Sequence, residues 1–200
     1  MISSASTDHA ALTRRSQLKA DRRQQILTAA ASLIADRGFN GVRLEDIGSA
    51  AGISGPAIYR HFANKDALLT ELLTGVSDKL LNGATLVVES TSVPSAAVEQ
   101  LIDFHLDFAL NQSDLIRVQD RDLHSLPEQA RREVRKMQRH YVELWVKALM
   151  RRNASLDETS ARTQAHAVFG LINSTPHSRG ESPARTRELL RSMAMSALDL

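Results

Sequence analysis

With 200 residues, 42% of them hydrophobic and 24% charged, the chain can bury one or two domain cores and is not a disordered protein. It has no cysteine, which excludes a disulfide framework, thiolate zinc sites and a cysteine nucleophile, and fits a cytoplasmic protein. Net charge is only +2, so partners must be read from local clusters; the lack of a roughly 20-residue apolar run or of a secretory leader predicts no membrane attachment.

Residues 1–19, which include "MISSASTDHAALTRR", read as a flexible basic and polar arm. Beyond them the apolar spacing is helical nearly throughout and no segment alternates as a half-buried strand would, which predicts an all-α fold of about nine helices. The first helix is expected from about Asp21 to Arg37, with Ile26, Ala29, Ala30, Leu33 and Ile34 on one face and Gly38 as its stop. A short helix follows over Leu44 to Ala51, then a turn in which Gly52 takes the left-handed conformation. Ser54 is placed to cap a second short helix, Gly55 to His61, with Pro56 in its first turn. Two helices joined by a glycine-containing turn form a helix-turn-helix unit. From Lys65, capped by Asn64, a longer helix runs to about residue 90; further helices are expected at about 95–111, 114–124, 128–151, 156–174 and 183–198.

The segment Gly55 to His61 is just long enough to lie in a DNA major groove. Gly55 and Ala57 permit close approach, Tyr59 and His61 offer a hydroxyl and a ring N–H to phosphate oxygens, and Arg60 reaches a guanine edge or a phosphate. Lys65 adds a cation at the next helix start, while Ile58 and Phe62 are expected to face the core. Between Arg14 and Lys65 there are nine basic side chains against four acidic ones, an electrostatic footprint for phosphate. Arg14 and Arg15 in the arm are either solvated or minor-groove contacts.

"DIGSAAGISGPAIYRHFANKDALL" resembles the helix-turn-helix of the tetracycline-repressor (TetR) family in Ile47, Ala51, Gly52, Ile53, Ser54, Pro56, Ile58, Tyr59, His61, Phe62, Lys65 and Leu68. It departs from the family pattern at Gly48, where alanine is usual, and at Gly55, where a basic or polar DNA contact is common; Arg43 compensates by reaching a phosphate. The resemblance implies a three-helix DNA-binding domain over 20–68, with contacts from Arg43, Ser54, Gly55, Pro56, Ala57, Tyr59, Arg60, His61 and Lys65, and a helical ligand-binding and dimerisation domain over 69–200.

In the second region Leu101, Phe104, His105, Phe108, Ile116, Val134, Met137, Tyr141, Trp145 and Phe169 are enough large side chains to line an apolar cavity or simply to fill a core. The histidines lack any metal-site pattern and read as hydrogen-bonded core groups, so no metal or cofactor is expected. The run "RREVRKMQRH" is either a solvated face or a grip on the phosphates of an apolar ligand such as an acyl-coenzyme A thioester, which some members of the resembled family sense. The stripes over 156–174 and 183–198 suit close helix packing, and the resemblance implies a homodimer interface there.

No nucleophile and base pair, carboxylate pair or phosphate-cradling loop points to an enzyme. Two functions remain: a ligand-responsive regulator, a repressor on a palindromic operator of double-stranded DNA released by a small apolar effector, or a structural, nucleoid-associated DNA-binding protein of the same fold. An interior cavity favours the first and a filled interior the second.

Overall fold

The computed structural model describes residues 4–177 and 182–199, with side chains from Ser16 onward. Its described residues form helices and turns without a strand, and the chain divides into two compact units in sequence, Met1–Leu72 and Leu73–Leu200.

Helix α1 spans Ser4–Arg37, so it starts well before Asp21, where the sequence reading places it. The arm "TDHAALTRRSQLKADRR" has no proline or glycine and is rich in Ala, Leu and Arg, so nothing in it stops a helix from propagating. The side chains of Arg14 and Arg15 lie outside the described residues. At its other end α1 stops at Gly38, whose N–H donates to the Ile34 carbonyl at 2.8 Å. Helix α2, Leu44–Ala50, begins where the Asp46 carboxylate accepts the Arg43 backbone N–H at 3.0 Å. Gly52 then takes φ 71°, a value that L side chains adopt only with strain.

The next element, Gly55–Arg60, is a 3-10 helix. Its ladder is short and tight: Ala57 N–H donates to Ser54 O at 2.9 Å and His61 N–H to Ile58 O at 2.9 Å. Pro56 sits in its first turn, where a missing N–H has no helical partner to lose. Ser54 does not cap it through its side chain, contrary to expectation; its backbone carbonyl accepts the first bond instead. Helix α3 covers Lys65–Ser90 and is capped by Asn64, whose Oδ1 accepts the Ala67 N–H at 2.8 Å. Ile26, Ala30, Ile34, Ile47, Ile58, Phe62, Leu68 and Leu69 close the first unit's core, each at most 2% exposed.

The second unit holds α4 (Pro94–Asn111), α5 (Ser113–Asp122), α6 (Glu128–Arg152), α7 (Glu158–Ile172) and α8 (Pro183–Ala197), with the later part of α3. Asp157 caps α7 through the Ser160 N–H at 2.9 Å, and Ser182 caps α8 through the Arg185 N–H at 3.2 Å. Helix α4 packs on α6 and α8, and α7 packs on α6 and α8, around Leu101, Ile102, Leu106, Trp145, Ala161, Ala165 and Ile172. Where α3 meets α4, a Cβ at Gly83 would clash with the edge of the Phe104 ring, so any larger residue there would have to displace that ring. Arg191 bridges α8 to Asp103 at 2.9 Å and Glu99 at 3.4 Å on α4, and Arg187 reaches Asp103 and Asp107. These pairs are partly exposed and fix helix register more than stability.

A candidate nucleic-acid interface and an internal cavity

The residues expected to contact DNA belong to the first unit. Arg43, Ser54, Pro56, Tyr59 and Arg60 are exposed, Gly55, Ala57, His61 and Lys65 are half-buried, and Ile58 and Phe62 face inward as expected. Arg43, Tyr59 and Lys65 share a shallow groove of about 310 Å³ with Asn40, Glu45 and Asn64. Glu45 is the residue the sequence reading misses here. The Tyr59 hydroxyl donates to its carboxylate, and this bond holds Glu45 below the usual carboxylate range.

At the end of the 3-10 helix, His61 is half-buried. Its Nδ1 is buried without a hydrogen-bond partner among the described residues. Burial, then the nearby cations Arg23, Lys19, Arg22 and Arg60, lower its pKa and favour the neutral ring. Arg23 does more than contribute charge. Its guanidinium sits 4.1 Å from the Phe62 ring centroid, donates to the His61 carbonyl at 2.5 Å and pairs with Glu71 on α3, so it fastens the end of the 3-10 helix between α1 and α3.

Lys65 likewise carries more structure than its reading as a phosphate contact allows. Its Nζ donates to the Phe39 carbonyl at 2.7 Å and the Val42 carbonyl at 2.9 Å, and lies 4.3 Å from the Phe39 ring centroid. Two of the ammonium's three donors are thus committed to the loop before α2. Lys65→Met is expected to lower the stability of this unit by about 1–2 kcal/mol in urea denaturation. A pure surface contact would leave it within about 0.5 kcal/mol.

The second unit holds a cavity of about 370 Å³ that is partly open to the surface. Its wall is built from single faces of five helices and the turn after α5: Ser77 and Leu80 of α3, His105 and Phe108 of α4, Gln119, Asp120 and then Leu123, Gln138, Tyr141 and Val142 of α6, His166 and Phe169 of α7, and Asn173 at its end. Of the expected ligand contacts, His105, Phe108, Tyr141 and Phe169 line it. Leu101, Ile116 and Trp145 do not: they are at most 4% exposed and belong to the packed core. Phe104 fills the space over Gly83, and Met137 lies outside the wall. Helix geometry explains the division. The cavity meets only one or two turns of each helix, so Leu101 and Trp145, a turn beyond His105 and Tyr141, go into the core. The missed wall residues are mostly polar, and selection by size alone passes over them. Their signal was spacing, since Gln138 lies three before Tyr141, and His166 and Asn173 lie three before and four after Phe169.

Tyr141, His105 and Asn173 form a hydrogen-bonded chain in this wall. The Tyr141 hydroxyl donates to His105 Nδ1 at 2.9 Å, and His105 Nε2–H donates to Asn173 Oδ1 at 3.1 Å. The amide oxygen selects that tautomer. Phe169 stacks 5.1 Å from His105 and 5.6 Å from Tyr141. Burial pushes the Tyr141 phenol up, and pushes His105 down to about 4, with the Asn173 bond opposing it. The Asp120 carboxyl is raised by burial, with His177 pulling it the other way.

His105 therefore makes stability depend on pH. Its folded pKa lies below the ordinary 6.5, so as pH falls the unfolded chain takes up the proton first. Stability is full above about pH 6.5, declines as the pH falls toward about 4, and levels off below that. At pH 5 the loss is about 2 kcal/mol relative to pH 7.5. Denaturant midpoints at the two pH values measure it, and His105→Gln should remove this part of the slope.

Comparison with known proteins agrees with this arrangement. The family model for bacterial regulatory proteins of the tetR family matches residues 26–72, and that for the tetracyclin repressor-like C-terminal domain matches residues 91–177. The chain is 31% identical over 124 residues to the HTH-type transcriptional repressor KstR2 of Mycobacterium tuberculosis, a stretch covering 58% of this chain and 62% of that relative. It thus spans about three fifths of that relative's length. A TetR-family transcriptional regulator from Bordetella parapertussis superposes with a TM-score of 0.76 at 26% identity, covering 89% of this chain and 96% of the other. The fold also matches the transcriptional regulator FadR from Bacillus subtilis in complex with stearoyl-CoA, with a TM-score of 0.64 and 17% identity over 87% of this chain and 98% of that one. Among the described residues no helix is long and apolar enough to cross a membrane.

Proposed function

From its membership of the tetR family of bacterial regulatory proteins, to which this chain belongs, we propose that it is a repressor that binds an inverted-repeat operator as a homodimer and is released by a small, largely apolar effector, with acyl-coenzyme A thioesters as the candidate class. The observation that carries the effector reading is the cavity of about 370 Å³ walled by Phe108, Tyr141 and Phe169. It lies within the roughly 300–1,000 Å³ range of ligand pockets. A structural DNA-binding protein of the same fold needs no such space. FadR, a fold neighbour, is bound to stearoyl-CoA, which supports the ligand class.

Each recognition element is only six residues long and reads a few base pairs, so specific affinity requires two copies on one duplex. Surface chemistry supports pairing through α7 and α8: Leu189 and Met193 are 58% and 46% exposed, and the small Ala167 and Gly170 are exposed on α7. Helix α3 supplies residues to both units and is the proposed route of coupling, since Ser77 and Leu80 lie in the cavity wall and Lys65 begins the same helix. The test begins with a duplex selected from a randomised pool by the full chain. An inverted repeat bound by two chains, with affinity lost on adding a cavity ligand, supports the proposal; a direct or featureless sequence bound by single chains sinks it.

A further inference from the structure

Beside the cavity, on the outer side of α6 and α7, lies a groove of about 260 Å³ lined by Arg135, Gln138, Arg139, Val142, Arg162 and His166. Gln138, Val142 and His166 also line the cavity, so the two spaces meet at these three side chains. We propose that this groove is the head-group subsite of the effector and takes the phosphates of a coenzyme A thioester whose acyl chain occupies the cavity. The assignment rests on reading the cavity as the effector site.

Charge is divided across the shared boundary. The cavity wall holds no Lys or Arg and contains the acidic Asp120, so an anion inside it finds a like charge and no ion-pair partner. The groove wall holds three guanidiniums and no carboxylate. Arg162 is held in place by Glu143 at 2.6 Å and Glu158 at 2.7 Å. Arg135 and Arg139 are exposed and form no ion pair among the described residues. They stand one helical turn apart, at i and i+4, so both reach the same side of α6. Two planar forks at that spacing suit an anion spread over several phosphate oxygens better than a single carboxylate. Leu80, Phe108, Leu123 and Phe169 offer the opposite chemistry to a hydrocarbon chain. An amphipathic ligand is thereby oriented: chain inward, phosphates outward, with Gln138 and His166 at the junction. The other arginines of the same run are otherwise engaged, since Arg131 and Arg132 pair with Glu128.

Isothermal titration of the full chain with dodecanoyl-CoA, dodecanoic acid and coenzyme A separates the parts. The thioester is expected to bind at least about tenfold more tightly than the fatty acid. R135E/R139E should lower thioester affinity by about tenfold or more, change fatty-acid affinity by less than about twofold and leave operator affinity unchanged. R135Q/R139Q should act in the same direction with a smaller loss. Equal affinity for thioester and acid, insensitivity of the thioester to both double variants, or no thioester binding overturns the subsite. Operator release by a ligand that ignores both arginines overturns the subsite and leaves the regulator proposal standing. Thioester binding that depends on the arginines but leaves operator affinity unchanged upholds the subsite and overturns the effector role.

Discussion

Trp145→Ala is expected to destabilise the second helical unit by about 3–5 kcal/mol. The side chain is 0% exposed and meets Phe169 edge-on at 5.0 Å, with His105 at 6.2 Å and Tyr141 at 6.4 Å. Its Nε1 has no hydrogen-bond partner of good geometry among the described residues, so the loss is mainly of packing and apolar burial, with a void left among residues that cannot fully close on it. Placed in the ligand pocket, as sequence suggested, Trp145 would instead be dispensable for stability and important for the effector. Because it is the chain's single tryptophan, unfolding should be followed by circular dichroism. Trp145→Phe keeps an aromatic ring in the site and should lose much less. A loss below about 1 kcal/mol for the alanine variant would contradict the core placement.

The second large effect belongs to the DNA surface. Arg60→Ala is expected to weaken specific operator binding by about 1–3 kcal/mol per subunit, and therefore by about 2–6 kcal/mol for a dimer that makes the contact twice. Arg60 is exposed at the end of the 3-10 helix, whereas Arg23 and Lys65 are fastened to the domain's own carbonyls. Truncating Arg60 is therefore expected to weaken DNA binding without loosening the fold. Tyr59→Ala should also weaken binding, though its hydroxyl must first leave Glu45 to reach a phosphate. Fluorescence anisotropy at fixed salt measures both, with thermal unfolding as the control. Unchanged operator affinity for Arg60→Ala would remove it from the interface.

Much of this architecture is legible in the sequence because it is local. Gly38 and Gly52, both with positive φ, stop one helix and turn the chain after another; Asn64 caps α3, and the 3.6-residue spacing finds the helices of both units. What sequence does not show is where a charged side chain ends. Arg23 belongs to a charged stretch that reads as solvated, yet it spans from α1 to Glu71 and the His61 carbonyl, and Lys65 turns back to Phe39 and Val42. Such contacts join residues far apart in the chain, and no periodicity encodes them. The cavity was half legible for a related reason. Aromatic size marks Phe108, Tyr141 and Phe169, but whether a helical turn ends in a cavity or in packed core depends on the helices opposite, so Trp145 falls in the core and Gln138 in the wall.

Ligand-responsive regulation predicts reciprocity. If an effector in the cavity weakens DNA binding, operator DNA must weaken effector binding by the same factor, commonly about 1–3 kcal/mol of coupling. The most direct measurement is therefore titration of dodecanoyl-CoA into the free protein and into its operator complex at one fixed salt concentration, alongside operator affinity with and without the thioester. Regulation requires two equal losses, about 5–150-fold each. A thioester that binds free and DNA-bound protein equally well, and leaves operator affinity unchanged, would contradict it.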